Sequence, residues 1–242
     1  MSLGWISHNT LLGKAIRLPF RLVPAGTVVP IVQGPARGKR WVSNAAAHGY
    51  WLGFWEIENQ RLFAARLKQG DVVYDIGAHV GLYTLGASEK VGLEGHVYAF
   101  EPFQRNAQYL RRHIELNRLT HCSVVEAAVC NSTGRGRFDA SGCHSEARLS
   151  VTGSATVPTL SIDEFLSSEP KRRPPNVIKV DARGAEMEIL CGGRRTLAEF
   201  APRIFLFSYY EDENRRCRQL LSSLGYSFEQ LNSDASWAEK RR

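Results

Sequence analysis

The sequence predicts an α/β fold built on a doubly wound, mostly parallel sheet, with an irregular segment ahead of it. Three observations carry that expectation. From Glu56 onward, short apolar strands alternate with helix-period segments at the spacing of βα units. A glycine turn closes the first of these strands, and a carboxylate stands at the end of the second. At 242 residues, with 43% hydrophobic and 23% charged side chains, the chain suits one such sheet and excludes disorder, collagen and coiled coil as descriptions of the whole.

Residues 1–55 are aromatic and punctuated by Gly and Pro, with strands expected at 27–33 and 40–43. Ile57, Leu62, Phe63 and Leu67 then give a helical apolar spacing that Gly70 ends. Residues 71–75 form a short apolar strand running into glycine, 82–90 a helix, and 96–100 the second strand. In 104–116, Leu110 and Ile114 share one face while Arg111, Arg112 and Glu115 turn outward, which predicts an amphipathic helix. Residues 123–129 read as the third strand. Residues 131–156 break the rhythm with Gly and Ser and predict a hairpin or mobile loop. A short helix at 160–166 and a linker at 167–176 follow. Strands are expected at 177–180, 203–207 and 226–231, with helices opening at Met187 and spanning 212–224.

Charge is unevenly placed. Residues 1–70 hold nine basic side chains against Glu56 and Glu58 as their only acids, so the whole net charge of +7 sits there. Such a segment suits an anionic substrate, nucleic acid or an anionic membrane surface, or is a solvated face of an Arg-rich chain. Cys122, Cys130, Cys143, Cys191 and Cys217 contain no C-x-x-C pair. They spell neither a disulfide framework nor a zinc site, and read as reduced thiols of a cytoplasmic protein. The seven histidines show no ligand spacing, so no metal is expected. No window approaches a membrane span, and the apolar stretch 11–32 is interrupted by Lys14, Arg17, Arg21 and three prolines, unlike a signal peptide.

In a doubly wound sheet the ligand lies beyond the carboxyl ends of the strands. After the first comes Asp75-Ile76-Gly77-Ala78-His79-Val80-Gly81. Its glycines permit a tight turn and a close approach of ligand to backbone. His79 stands where a dinucleotide fingerprint needs glycine, which disfavours a pyrophosphate and a nicotinamide-dependent oxidoreductase. Glu101-Pro102 stands 20 residues beyond Gly81, where a carboxylate accepts from a ribose diol. Glu126 and Ala127 fall where an adenine edge would lie.

These motifs, with Phe100-Glu101-Pro102 and the stretch Ile178-Lys179-Val180-Asp181-Ala182-Arg183-Gly184-Ala185-Glu186, resemble the FkbM family of S-adenosylmethionine-dependent methyltransferases. Upstream, Gly53-Phe54-Trp55-Glu56 and Leu67-Lys68-Gln69-Gly70-Asp71 resemble that family's lead-in, so the likeness runs from about residue 50 to about residue 230. It implies a Rossmann-like class I methyltransferase fold, S-adenosyl-L-methionine as cofactor, and O-methylation of a hydroxyl on a sugar or natural product. Carried over by position, Asp75, Gly77, His79 and Gly81 would surround the methionine part of the cofactor. Glu101 would hold the ribose, Glu126 and Ala127 would flank the adenine, and Asp181 would face the methyl group. Three residues depart from the family pattern: His79 where Asn is commoner, Arg183 in place of an acid, and Ser208 where an acid is frequent. Because the chain ends soon after Leu231, the seventh, antiparallel strand is expected to be short or incomplete.

An alkyl hydroxyl must lose its proton as it attacks. Asp181 is the first candidate for that base or for orienting the acceptor. Strand alternation puts Lys179 on the same face, where it lowers the basicity of Asp181, and Glu186 also flanks it. His144 is a rival base. Tyr209 and Tyr210 could stack on a sugar ring. Residues 1–55 are expected to cover the site, with a small-molecule or glycan acceptor that their charge would suit to be anionic. Two further readings stand beside this one: a cofactor-binding protein without catalysis, and an RNA methyltransferase stacking bases on Trp41, Tyr50, Trp51 and Trp55. The latter lacks the Asn/Asp-Pro-Pro-Tyr signature after the fourth strand.

Overall fold

The computed structural model describes residues 22–139, 148–149, 155–207 and 209–240. Two short strands, β1 (Val28–Pro30) and β2 (Arg40–Val42), pair antiparallel at the start. Helix α1 (Ile57–Ala65) leads into β3 (Val72–Ile76), α2 (Leu82–Val91), β4 (His96–Phe100), α3 (Gln104–Leu116) and β5 (Cys122–Val125). Beyond β5 lie β6 (Ala128–Val129), β7 (Gly134–Asp139), β8 (Arg148–Leu149) and β9 (Ala155–Leu160), which form a separate four-stranded sheet in the order β6-β9-β7-β8. The expected hairpin is therefore the antiparallel pair of β7 and β9. Then come α4 (Ile162–Ser167), β10 (Val177–Val180), α5 (Glu186–Gly192), α6 (Arg194–Phe200), β11 (Arg203–Phe207), α7 (Glu211–Ser223), β12 (Tyr226–Gln230) and β13 (Ala235–Lys240).

The main sheet runs β12-β13-β11-β10-β3-β4-β5, parallel except that β13 lies antiparallel to both its neighbours. The seventh strand is complete, contrary to the expectation from the chain end: β13 is six residues long and pairs with β11 at four positions. Every residue of β3 is buried, as a strand covered on both faces requires. Val72, Tyr74 and Ile76 join the core under α5 and α7, while Val73 joins the core under α1 and α2. Asp75 shares the face of Val73, and the parallel register sets it beside Lys179 of β10.

The segment ahead of the sheet is bound into it. Ile31, Trp41, Tyr50 and Trp51 pack with Val80, Leu82, Leu85 and Leu119. The Trp41 indole stacks on His113 of α3 at 4.0 Å. His113 is fully buried; its Nε2 accepts from the Val42 N–H at 3.0 Å, so Nδ1 carries the proton donated to the Val80 carbonyl at 2.8 Å. Burial pushes its pKa down to about 4. Trp41, Tyr50 and Trp51 are therefore core residues, which corrects the expectation that they offer a surface for stacking bases. Among the described residues, no helix is long and apolar enough to cross a membrane.

Candidate functional site

The carboxyl ends of β3, β4 and β10 open onto one cleft. Its first half is made by the turn after β3 and by Glu101. Gly77 has φ 74, and a Cβ there would strike the Asp181 backbone carbonyl, so only glycine fits. His79 follows, also left-handed at φ 52, and this geometry aims its N–H at Glu101 Oε2, 2.9 Å away. Glu101 Oε1 accepts from the Phe103 N–H at 3.0 Å and from Asn106 Nδ2 at 3.3 Å. The carboxylate is 5% exposed, and burial pushes its pKa up to about 7 despite those three donors. Asn106 Oδ1 is buried beside it with no partner among the described residues. Phe100, Ala127, Ala128 and Val129 continue this half as an apolar wall.

The second half is a set of charges. Lys179, 1% exposed, puts Nζ 2.9 Å from Asp75 Oδ1, 3.1 Å from the Gly77 carbonyl and 3.9 Å from Asp181 Oδ2. Burial opposes its charge, but Asp75 and Asp181 together outweigh burial and hold its pKa above the ordinary value. Asp181 Oδ1 accepts from the Tyr209 hydroxyl at 3.0 Å. Across the cleft, Glu56 sits in left-handed backbone at φ 45 and accepts from the Tyr83 hydroxyl at 3.1 Å. Burial, and then the charge of Asp181, raise its pKa. Arg183, left-handed at φ 47, lays its guanidinium over the Tyr209 ring at 4.6 Å.

Gly77, His79, Glu101, Ala127 and Asp181, all expected from the sequence, line this one cleft. Four expectations are relocated. Asp75 is wholly buried beneath the turn, with Oδ1 on Lys179 and Oδ2 accepting from Thr84 at 2.7 Å, so neither oxygen is open to an incoming amino group. Gly81 opens α2 at φ 97, where a Cβ would stand 2.5 Å from Leu110 Cδ1, and it is not among the cleft-lining residues. Glu126 turns to Arg111 at 2.7 Å and is not among the cleft-lining side chains. Glu186 is buried and accepts from the Gly184 N–H. His144 and Ser208 lie outside the described residues. Sequence reasoning missed Glu56, Tyr83 and Asn106 as cleft residues. The available signal for Glu56 was its place as one of two acids in a strongly basic stretch. Among the described residues, no group of three or more His, Cys, Asp or Glu side chains is placed to hold a metal.

The first half fits S-adenosylmethionine on its own chemistry. Glu101 offers a carboxylate to a ribose diol, Asn106 offers an unused carbonyl oxygen, and the alanines offer a flat apolar wall to a base. Comparison with known proteins points the same way. Residues 75–228 match the methyltransferase FkbM domain. The hexuronic acid methyltransferase AglP of Haloferax volcanii is 32% identical over 139 residues, 54% of this chain and 54% of that protein. Methyltransferase 1 of Beauveria bassiana is 28% identical over 149 residues, 50% of this chain and 57% of that protein. The chain thus spans about half the length of the curated relatives it matches. Among solved structures, an FkbM methyltransferase from Methylobacillus flagellatus has a TM-score of 0.57 at 19% identity, covering 74% of this chain and 46% of that one, a likeness of fold. With the family match spanning well over half its length, the chain belongs to the FkbM family of S-adenosylmethionine-dependent methyltransferases.

Proposed function

We propose that the protein is a cytoplasmic O-methyltransferase acting on a hydroxyl of a sugar or related small molecule. The observation that carries this reading is the meeting, in one cleft, of a ribose-type carboxylate at Glu101 with the facing carboxylates of Glu56 and Asp181. When bound, S-adenosylmethionine supplies an electrophilic methyl group. Gly77, His79, Glu101 and Ala127 hold it, and alignment of donor and acceptor contributes on the order of 7–11 kcal/mol.

The two facing carboxylates divide the acceptor's needs. Asp181, 3.9 Å from Lys179 and accepting from the Tyr209 hydroxyl, is held in place as an orienting group for the acceptor. Glu56, whose pKa is raised by burial and by Asp181, is the better base for the departing hydroxyl proton. The stretch ending at residue 55 brings Tyr50 and Trp55 to the cleft and covers its acceptor side. The sugar assignment is supported by the name of the Haloferax volcanii relative.

The test is incubation with methyl-labelled S-adenosylmethionine and a panel of sugar hydroxyls, beside calorimetric titration of S-adenosylmethionine with NAD as control. Label should enter an acid-stable ether, and Glu56→Gln should slow turnover by about 10²–10⁴-fold while cofactor affinity holds. No saturable binding of S-adenosylmethionine would sink the proposal. Full turnover by Glu56→Gln would move the base elsewhere.

A further inference from the structure

Among the described residues, the acceptor half holds a cation, Arg183, that lies in the field of Glu56 but makes no ion pair. Lys179 is matched by Asp75 and Asp181, and Asp181 is further tied by Tyr209. Arg183 lines the same cleft, yet among the described residues its guanidinium makes no ion pair and no hydrogen bond. Its position is enforced by the backbone. Arg183 at φ 47 and Gly184 at φ 102 are successive left-handed residues, and this turn after β10 folds the side chain back over Tyr209. The guanidinium lies over the Tyr209 ring at 4.6 Å, and a guanidinium fork with no other hydrogen bond among the described residues can offer two parallel hydrogen bonds to an oxyanion. Tyr209 is itself fixed, stacked on Phe207 at 6.0 Å and bonded to Asp181, so the fork is held rather than free to swing. On the same cleft, Trp55, 37% exposed, stacks on the buried Tyr50 at 4.8 Å and presents an aromatic ring of the kind that packs against a sugar.

The carboxylates of Glu56 and Asp181 repel an anion from the rest of this half, so an anionic acceptor is accepted in one orientation only, with its charged group at Arg183. We propose that Arg183 anchors an anionic oxygen group, carboxylate or phosphate, of the acceptor, making the substrate class a sugar acid or sugar phosphate instead of a neutral sugar. This rests on the methyl-transfer reading for the location of the acceptor.

The experiment saturates the protein with S-adenosylhomocysteine and titrates it with methyl glucuronide, glucose 6-phosphate or methyl glucoside, followed by protein NMR shifts. An anionic sugar should bind, with the neutral glucoside about tenfold weaker or more. Arg183→Gln should reduce the anionic sugar to the neutral level, Arg183→Lys should recover part of the difference, and S-adenosylhomocysteine affinity should be the same in all three proteins. Preference for glucuronide over phosphate, or the reverse, names the group. Equal binding of neutral and anionic sugars, an Arg183→Gln protein indistinguishable from the parent, or no binding of either anion overturns the proposal. Failure to bind S-adenosylhomocysteine strikes the methyl-transfer reading instead. The anchor would stand in that case if glucuronide selectivity still depended on Arg183.

Discussion

The two halves of the cleft solve the same problem, holding polar groups away from water, by different means. The half around Glu101 does so with backbone. The His79 and Phe103 N–H groups and one amide converge on a single carboxylate, and all of them lie within 28 residues of each other in sequence, between His79 and Asn106. The half around Asp181 does so with opposed side-chain charges from distant elements: Lys179 reaches 104 positions back to Asp75, and Tyr209 reaches 28 back to Asp181. Backbone donors are fixed once the strands form, so the first half is preorganised for one ligand shape. The second half depends on its buried charges keeping their partners, so exchanging one buried member at a time is costly there.

The sharpest break in this comparison is to remove the central cation. Lys179→Met leaves Asp75 buried against no charge and strips Asp181 of its neighbour. A loss of about 3–5 kcal/mol in urea unfolding is expected. A loss below about 1 kcal/mol would mean that the Lys179 ion pairs do not hold this half together.

Acid should act next, through His113 under the first half. Its pKa falls to about 4 in the fold, below the ordinary 6.5, so its contribution is present above that ordinary value and disappears as pH falls toward about 4. The expected loss is about 3 kcal/mol, and His113→Gln, which keeps a donor and an acceptor there, should flatten that part of the stability curve. An unchanged slope in the variant would assign acid sensitivity to other groups.

The smallest effect concerns Glu101. With its pKa raised to about 7, its ionisation costs the empty fold stability as pH rises through that value, whereas a ribose diol needs the ionised form. Affinity for S-adenosylhomocysteine should therefore tighten with rising pH, by at most about tenfold per unit, and level off above about 7. Glu101→Gln should bind about 10–100-fold more weakly and without that dependence. Calorimetry across the range reads both. A flat profile in the parent protein would remove Glu101 from the ribose.

The contrast between the halves also explains what the sequence could tell. The glycine turn and Glu101 were legible because a strand end followed by a local turn leaves a short-range pattern. Even there the fold adds reasons the sequence does not show, since a Cβ at Gly77 would meet the Asp181 carbonyl and one at Gly81 would meet Leu110. Glu56 and Tyr83 had no such pattern, because their meeting with each other and with Asp181 depends on separate elements coming together in the fold. Strand β13 escaped notice because Ala235-Ser236-Trp237-Ala238-Glu239-Lys240 contains no β-branched residue; its pairing with β11 and β12, not its propensity, makes it a strand. The roles of Asp75 and Glu126 were misplaced because spacing gives position along a strand but not which partner a carboxylate will meet.

The missing Cβ at Gly77 has a further consequence. Because the turn after β3 lies directly against the Asp181 backbone, the loops after β3 and β10 share one surface, and neither backbone has room to move alone. An insertion or a bulge in 181–184 would displace the glycine turn after β3 along with it. Side-chain changes at positions such as 183 and in the aromatic stretch before Glu56 alter the cleft without meeting this contact, whereas a change of loop length in 181–184 has to displace it.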